Sequence, residues 1–232
     1  MTYREVMTAL KSAGTAQNRK IYQRHGAREP LYGVSYAELG RLQRRIGADQ
    51  RLAEQLWRSG NHDARVLATQ IADPEVIRVR VCDAWLREAE DHILCGQLGK
   101  LVARMPSGPD RARAWRARKR EWPCAAGWSA TASLAVERRL SRDEALELIG
   151  QIERGISDAP NRVRHDMNGA LIAIGTFYPD LRAVAGDAAI RIGRPDVDHG
   201  ETSCVTPEAA PYIAKAGARF DAKLRRGSGK RS

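Results

Sequence analysis

Trp115 stands among Arg111, Arg113, Arg116, Arg118, Lys119 and Arg120. An aromatic ring interleaved with cations suits a nucleic-acid backbone, and it suits a solvated amphipathic helix equally well. Three other clusters carry groups that could do chemistry. Asp91 sits beside Glu88, Glu90 and His92, and by residue type alone this is a charged helix surface. His62 lies at a helix start within Gly60–Arg65, where capping explains it as well as a phosphate contact would; Arg65 is the better DNA candidate. His165, Asp166 and Asn168 make a polar cluster that fits either a groove lining or an exposed helix face. The segment from Asp196 to Cys204 holds carboxylates, His199 and Cys204 and could in principle bind a metal, but its spacing matches no zinc template. It reads instead as a turn-rich loop packing across the end of the fold, with no metal or organic cofactor expected.

These groups sit in a strongly cationic chain. The 232 residues include 39 Lys and Arg against 28 Asp and Glu, a net charge of +11, and the pI is about 9.9. A polyanion is the natural partner, and nucleic acid the first candidate. The most apolar window, Gly169 to Tyr178, is shorter than the roughly 20 residues a membrane span needs. Met1-Thr-Tyr-Arg-Glu-Val lacks a signal-peptide core, so a cytoplasmic protein without membrane contact is expected. Cys82, Cys95, Cys124 and Cys204 are widely spaced with no C-x-x-C pair, and read mostly as small core residues rather than a disulfide framework.

The elements that must position these groups are helices. Ala64 to Pro74, Ala126 to Val136, and Asn168 to Gly175 running into Tyr178-Pro179 share an Ala-rich design. Small residues let a neighbouring helix approach closely, and their recurrence without convincing strands predicts stacked helix pairs, an α-solenoid with a concave basic surface. Helices are predicted over Thr2 to Ala13, Gln17 to Gly26, Tyr36 to Ile46, Gln50 to Arg58 and Asp63 to Ala72. Ser35, Asp49 and Asn61 are the caps, Ser35 forming a capping box with Glu38. Glu75 to Arg87 could mimic a strand over Val76 to Val81, but a lone strand would lack a partner, and helix is the prediction. Asp91 to Arg104, Asp110 to Arg120, Cys124 to Arg139 after an interruption at Pro123, Ser141 to Gly155 and Asp158 to Gly175 follow, then a short pair over Pro179 to Ile192. Residues 1–193 make the repeat domain; 194–224 a loop and a helix, Glu208 to Leu224, packing on the last repeat; and 225–232 a disordered basic tail.

Taken together, Tyr32-Gly-Val-Ser35 before a helix with Leu39, Leu42 and Ile46, then Leu52 to Trp57 and Asn61 to Ala68, resemble the AlkD-like DNA alkylation repair family of HEAT-like repeat DNA glycosylases. Trp85, Asp91 and Leu98-Gly99 resemble the family's segment around its catalytic acid, and Val163-Arg164 with Ala170-Leu171 falls where a later repeat helix would. The resemblance covers roughly residues 30 to 190. It implies an all-α, HEAT-like solenoid binding double-stranded DNA, alkylated where it is a substrate, as a monomer and without cofactor. The implied chemistry is excision of alkylated purines by hydrolysis of the N-glycosidic bond.

In the family, the site combines an Asp, a Trp four residues before it and an Arg one repeat later. Asp91 occupies the acid's place and could stabilise positive charge developing on the sugar or orient a water. The Trp position falls on Arg87, the Arg position on Ala125, and a further groove-lining Trp on Gly169. Arg65, Arg87, Arg113, Trp115, Arg116, Arg164 and His165 are the expected DNA contacts. The departures at Arg87, Ala125 and Gly169 open a second reading, a non-catalytic HEAT-like scaffold that recognises damaged or branched DNA.

Overall fold

Side chains that bond their own backbone mark where most of the helices begin. Thr2, Thr15, Ser35, Asp49, Asn61, Asp91 and Ser141 each accept from an N–H three residues on, satisfying a donor that a helix start leaves free. In the computed structural model, which describes residues 1–228, they open α1 (Tyr3–Ala13), α2 (Ala16–Arg24), α3 (Tyr36–Ile46), α4 (Gln50–Arg58), α5 (His62–Ile71), α7 (His92–Arg104) and α10 (Arg142–Gly155). The others are α6 (Val79–Glu88), α8 (Gly108–Arg116), α9 (Glu121–Val136), α11 (Asn161–Phe177), α12 (Arg182–Ile192, after a 3-10 turn Pro179–Leu181) and α13 (Ala209–Ser228). The described residues contain no strand, only an isolated bridge between Gly14 and Val34.

Several boundaries differ from expectation, each for a local reason. After Pro74 the amides of Val76 and Ile77 bond back to the Asp73 carbonyl, so 75–78 is a turn and α6 begins at Val79. The cationic helix stops at Arg116, which leaves Arg118 to Arg120 in the turn to α9. Pro123 does not interrupt: it lies in the first turn of α9, where its missing N–H breaks no bond. Ser35 caps α3, but the Glu38 carboxylate goes to Arg41, so the reciprocal half of that capping box is not made. The basic stretch expected to be disordered from 225 is helical through Ser228, as the end of α13; residues 229–232 of that tail lie outside the described residues.

The helices stack as pairs. α5, α7, α9, α11 and α13 form one layer, and α4, α8 and α12 pack against their partners α5, α9 and α13 in a second. Close approach within the layer depends on side-chain size. A Cβ on Gly99 would stand 2.8 Å from the Ala130 amide nitrogen and 2.9 Å from the Ala126 carbonyl oxygen, so α7 and α9 meet nearly backbone to backbone. The Ala-rich design of α9 therefore reflects its place between α7 and α11. Leu67, Leu98, Leu101, Leu134 and Ile174 fill the core between these helices.

Two irregular segments are pinned rather than loose. Asp63, buried at the start of α5, accepts from the amides of Tyr32 (2.7 Å), Gly33 (3.1 Å) and Val34 (2.8 Å). The strap 194–207 lies along α11: Arg164 donates to the Asp196 carbonyl, Asn161 exchanges two bonds with Asp198, and Asn168 donates to the Pro207 carbonyl. Gly200, in its middle, comes up against the Arg24 carbonyl at the end of α2.

Candidate functional site

α7 packs between α5 and α9 in the layer, which brings side chains of the three helices to one surface. Along the C-terminal halves of α5, α7 and α9 this produces an open groove of about 770 Å³, lined by Tyr36, Gln70, Gln97, Lys100, Arg104 and Ser133 among others. Tyr36 is 48% exposed there and Lys100 is exposed. Arg104 donates to the Thr69 carbonyl at 3.1 Å, and burial lowers its pKa from the ordinary arginine value. Amides, an exposed aromatic and a free lysine on neighbouring helices offer hydrogen bonds, a ring face and charge to an elongated polar ligand. The sequence signal for this lining is the polar stripe Gln97, Lys100, Arg104 at helical spacing, which the sequence expectations did not include.

At that other end, Asp91 and His62 share a small recess of about 140 Å³, with Arg28, Arg65, Glu88, Glu90 and Leu94 around it. Asp91 is not a surface charge: it is 4% exposed and caps α7, its Oδ1 accepting from the Leu94 amide at 2.9 Å. Its Oδ2 lies 3.3 Å from His62 Nε2. His62 is 4% exposed and neither of its ring nitrogens makes an aligned hydrogen bond. Arg28 closes the rim through an ion pair with Glu90.

The other expected contacts fall into separate places. Arg65 pairs with Glu88 at 2.8 Å and lies 5.0 Å over the Trp57 ring, which in turn stacks on Trp85 with centroids 4.5 Å apart. Trp57 and Trp85 are thus core anchors. Trp115, expected as a DNA contact, is corrected: it is 1% exposed and donates from Nε1 to Asp83 Oδ1 at 2.7 Å, because α8 turns its apolar side inward. Arg116 turns inward too, donating to the Thr131 hydroxyl at 2.5 Å and lying 5.2 Å over Trp128, and burial pushes its pKa down to about 10. Arg113 pairs with Asp110 and Glu144. Arg164 is held by the strap. Arg87 alone of the expected contacts is exposed and without a hydrogen bond or ion pair among the described residues; it lies at the end of α6 and does not line the Asp91 recess. Ala125, at the family's Arg position, is 1% exposed inside the helix layer, whereas Gly169 faces open space.

His165 packs edge-on against His199 of the strap at 5.5 Å, and His92 likewise against His25 at 5.5 Å. Burial pushes the pKa of both His92 and His165 down to about 4, with the nearby Arg162 cation acting in the same direction. Burial raises the Asp166 carboxyl to about 7, opposed by Arg162. The polar cluster is therefore the packed seam between α11, α7, α2 and the strap, with charge kept low by desolvation. No group of three His, Cys, Asp or Glu side chains among the described residues is arranged to hold a metal ion, and no helix among them is long and apolar enough to cross a membrane.

Comparison with known proteins matches residues 6–210 to the family model described as "DNA alkylation repair enzyme". Among curated proteins, the uncharacterised Listeria innocua protein Lin0241 and its Listeria monocytogenes counterpart Lmo0209 are each 27% identical over 223 residues, covering 93% of this chain and 97% of theirs. A solved structure described as "a new family of proteins related to the HEAT-like repeat DNA glycosylases with affinity for branched DNA structures" superimposes with a TM-score of 0.86. It is 27% identical, and the match covers 94% of this chain and 95% of that one.

Proposed function

The chain belongs to the DNA alkylation repair enzyme family, and from that premise we propose that it is a monomeric, cytoplasmic DNA-binding protein that holds branched or damaged duplex DNA against the groove of α5, α7 and α9 and does not excise bases. The observation that carries this reading is the state of Asp91. One carboxylate oxygen caps α7 and the other faces His62, with 4% of the residue exposed. A carboxylate that stabilises an oxocarbenium-like sugar must reach it through space that water and protein have vacated. No aromatic wall lines the recess beside it, and the matched Arg position is closed off inside the core. The groove, by contrast, offers the exposed Tyr36 ring and Lys100. The relative described as having affinity for branched DNA supports the choice of ligand.

Excision remains the second reading on one observation: the buried His62 ring, with neither nitrogen in an aligned hydrogen bond among the described residues, faces the same recess as Asp91. Such a pair could hold a proton or a water at the carboxylate once DNA is bound.

One experiment separates the two. Duplexes carrying N7-methylguanine or N3-methyladenine, linear or as a four-way junction, are incubated with the protein while bound DNA and released base are measured across a salt series. Binding that weakens steeply with salt, with no free base, is the expected result. Release of base that disappears in Asp91→Asn would replace the binding reading by the glycosylase. Binding to neither DNA would remove the nucleic-acid reading altogether. Lys100→Glu, at an exposed groove position, should lower affinity for both DNAs about tenfold, the loss of roughly one charge-assisted phosphate contact.

A further inference from the structure

Away from the groove, one other surface gathers cations that the fold does not use. Arg87 ends α6, and Arg118, Lys119 and Arg120 form the turn between α8 and α9. All four are exposed, and none has a side-chain hydrogen bond or ion pair among the described residues. Arg111, Arg113 and Arg142, by comparison, are each ion-paired. The four surround a recess of about 300 Å³ whose floor is Leu86, Trp115 and Pro123. Its lining includes a single acid, Asp83, and both oxygens of that carboxylate are engaged, by Trp115 Nε1 at 2.7 Å and by Arg111 Nη1 at 3.2 Å.

The backbone adds to this charge. α9 starts beside the recess with Arg120 as its N-cap, and no side chain caps it. The positive end of the helix and the amides of Glu121 and Trp122, the first-turn residues before Pro123, face outward from its start. Glu121, the acid in that first turn, does not line the recess, and its Oε1 accepts from the Arg162 amide at 2.7 Å. Exposed cations around an uncapped helix start suit phosphodiester oxygens.

Position identifies which phosphates. The groove residues Lys100 and Arg104 lie toward the C-terminal end of α7, a 13-residue helix that begins where α6 ends. The recess lies beyond the opposite end, roughly 12–18 Å away along the helix axis at 1.5 Å per residue, where the ends of α6 and α8 meet the start of α9. A linear duplex held against α5, α7 and α9 has its phosphates at the groove; a second arm diverging from it has phosphates to offer elsewhere. Resting on the DNA-binding reading above, we propose that Arg87, Arg118, Lys119 and Arg120 grip the backbone of a second duplex arm, so that preference for branched over linear DNA resides in this patch and not in the groove.

The test compares wild type, the triple variant Arg118→Glu/Lys119→Glu/Arg120→Glu and its neutral form with Gln at the same three positions. Each is titrated with a four-way junction and with a linear duplex of equal length, and thermal midpoints confirm that all are folded. Junction affinity is expected to fall at least tenfold in the Glu variant and less in the Gln variant, with linear-duplex affinity within twofold of wild type. The junction's log–log salt dependence should become shallower by about 0.9 for each phosphate that is no longer neutralised. Equal loss on both DNAs would overturn the proposal by making the patch part of the general duplex site. No loss on either would overturn it by making the patch a solvated face. If wild type binds neither DNA, the functional reading fails first and takes this one with it; if wild type binds both DNAs equally tightly, only this proposal fails.

Discussion

The recess around Asp91 and the groove beyond Gln97 lie toward opposite ends of the same helix, α7, and treat their polar groups in opposite ways. In the recess Asp91 caps a helix, Arg28 and Arg65 are ion-paired, and Glu88 accepts from both Arg65 and Trp57. In the groove Lys100 and the ring of Tyr36 stand open to solvent. The two regions are carried by the same element, so the difference does not come from fold. It comes from whether the fold has already used the side chain, and a residue type matched to a family position says nothing about that until its neighbours are known.

The sharpest way to break this comparison is at Asp63, next to His62. If the recess end is scaffold, Asp63→Ala should cost about 3 kcal/mol in urea unfolding, because three amides of residues 32–34 lose their acceptor. A cost below about 1 kcal/mol would mean that water replaces the carboxylate and that this end is looser than described. A smaller effect is expected at Asp91 itself. Asp91→Ala removes a helix cap and should cost about 1 kcal/mol, with DNA affinity within twofold of wild type. A loss of DNA affinity without a loss of stability would instead assign the recess to ligand binding.

The smallest effect sharpens the picture of the seam behind both regions. Burial raises the Asp166 carboxyl to about 7, with Arg162 opposing and Cys95 and Cys124 among the groups it faces. A carboxyl raised in the folded state holds its proton more tightly there than in the unfolded chain. Its contribution is therefore complete below the ordinary carboxylate range and is lost as pH rises toward and through 7. Asp166→Asn should accordingly raise the thermal midpoint most at pH 8, less at pH 5, where the folded carboxyl is neutral but the unfolded one is already ionised, and little below the ordinary carboxylate range. His92 and His165, lowered to about 4, act in the other sense and remain in both proteins, so the difference between the two melting curves isolates the carboxyl.

The helical architecture was legible because its signals are local. Asp49, Asn61 and Ser141 announce their helices by residue type, and the small residues of α9 announce close neighbours on both sides. Boundaries slipped where a turn competes with a helix of the same composition, as at 75–78, or where a proline falls in a permissive first turn, as at Pro123. Site residues were less legible because exposure is a tertiary property. Arg116 and Trp115 sit in a run of cations that reads as solvated, yet α8 needs an apolar side against α9 and turns both inward. The four cations left outside, Arg87 and Arg118 to Arg120, come from two helices' ends that only the pairing of the layers brings together. His62 and Asp91, 29 positions apart by their numbers, likewise met only in the fold.

The strap that runs along α11 to the Arg24 carbonyl also changes how the stack is held as a mechanical object. A repeat array in which each unit touches only its neighbours behaves as a spring that can fray from either end, its strength a sum of local terms. Here the strap packs on α11, His199 beside His165, and also reaches an early helix, Gly200 lying beside Arg24 at the end of α2. The spring is clasped. Peeling α2 or the strap away opens a contact that the other makes, so unfolding is expected to be more cooperative than in an array whose units touch only their neighbours.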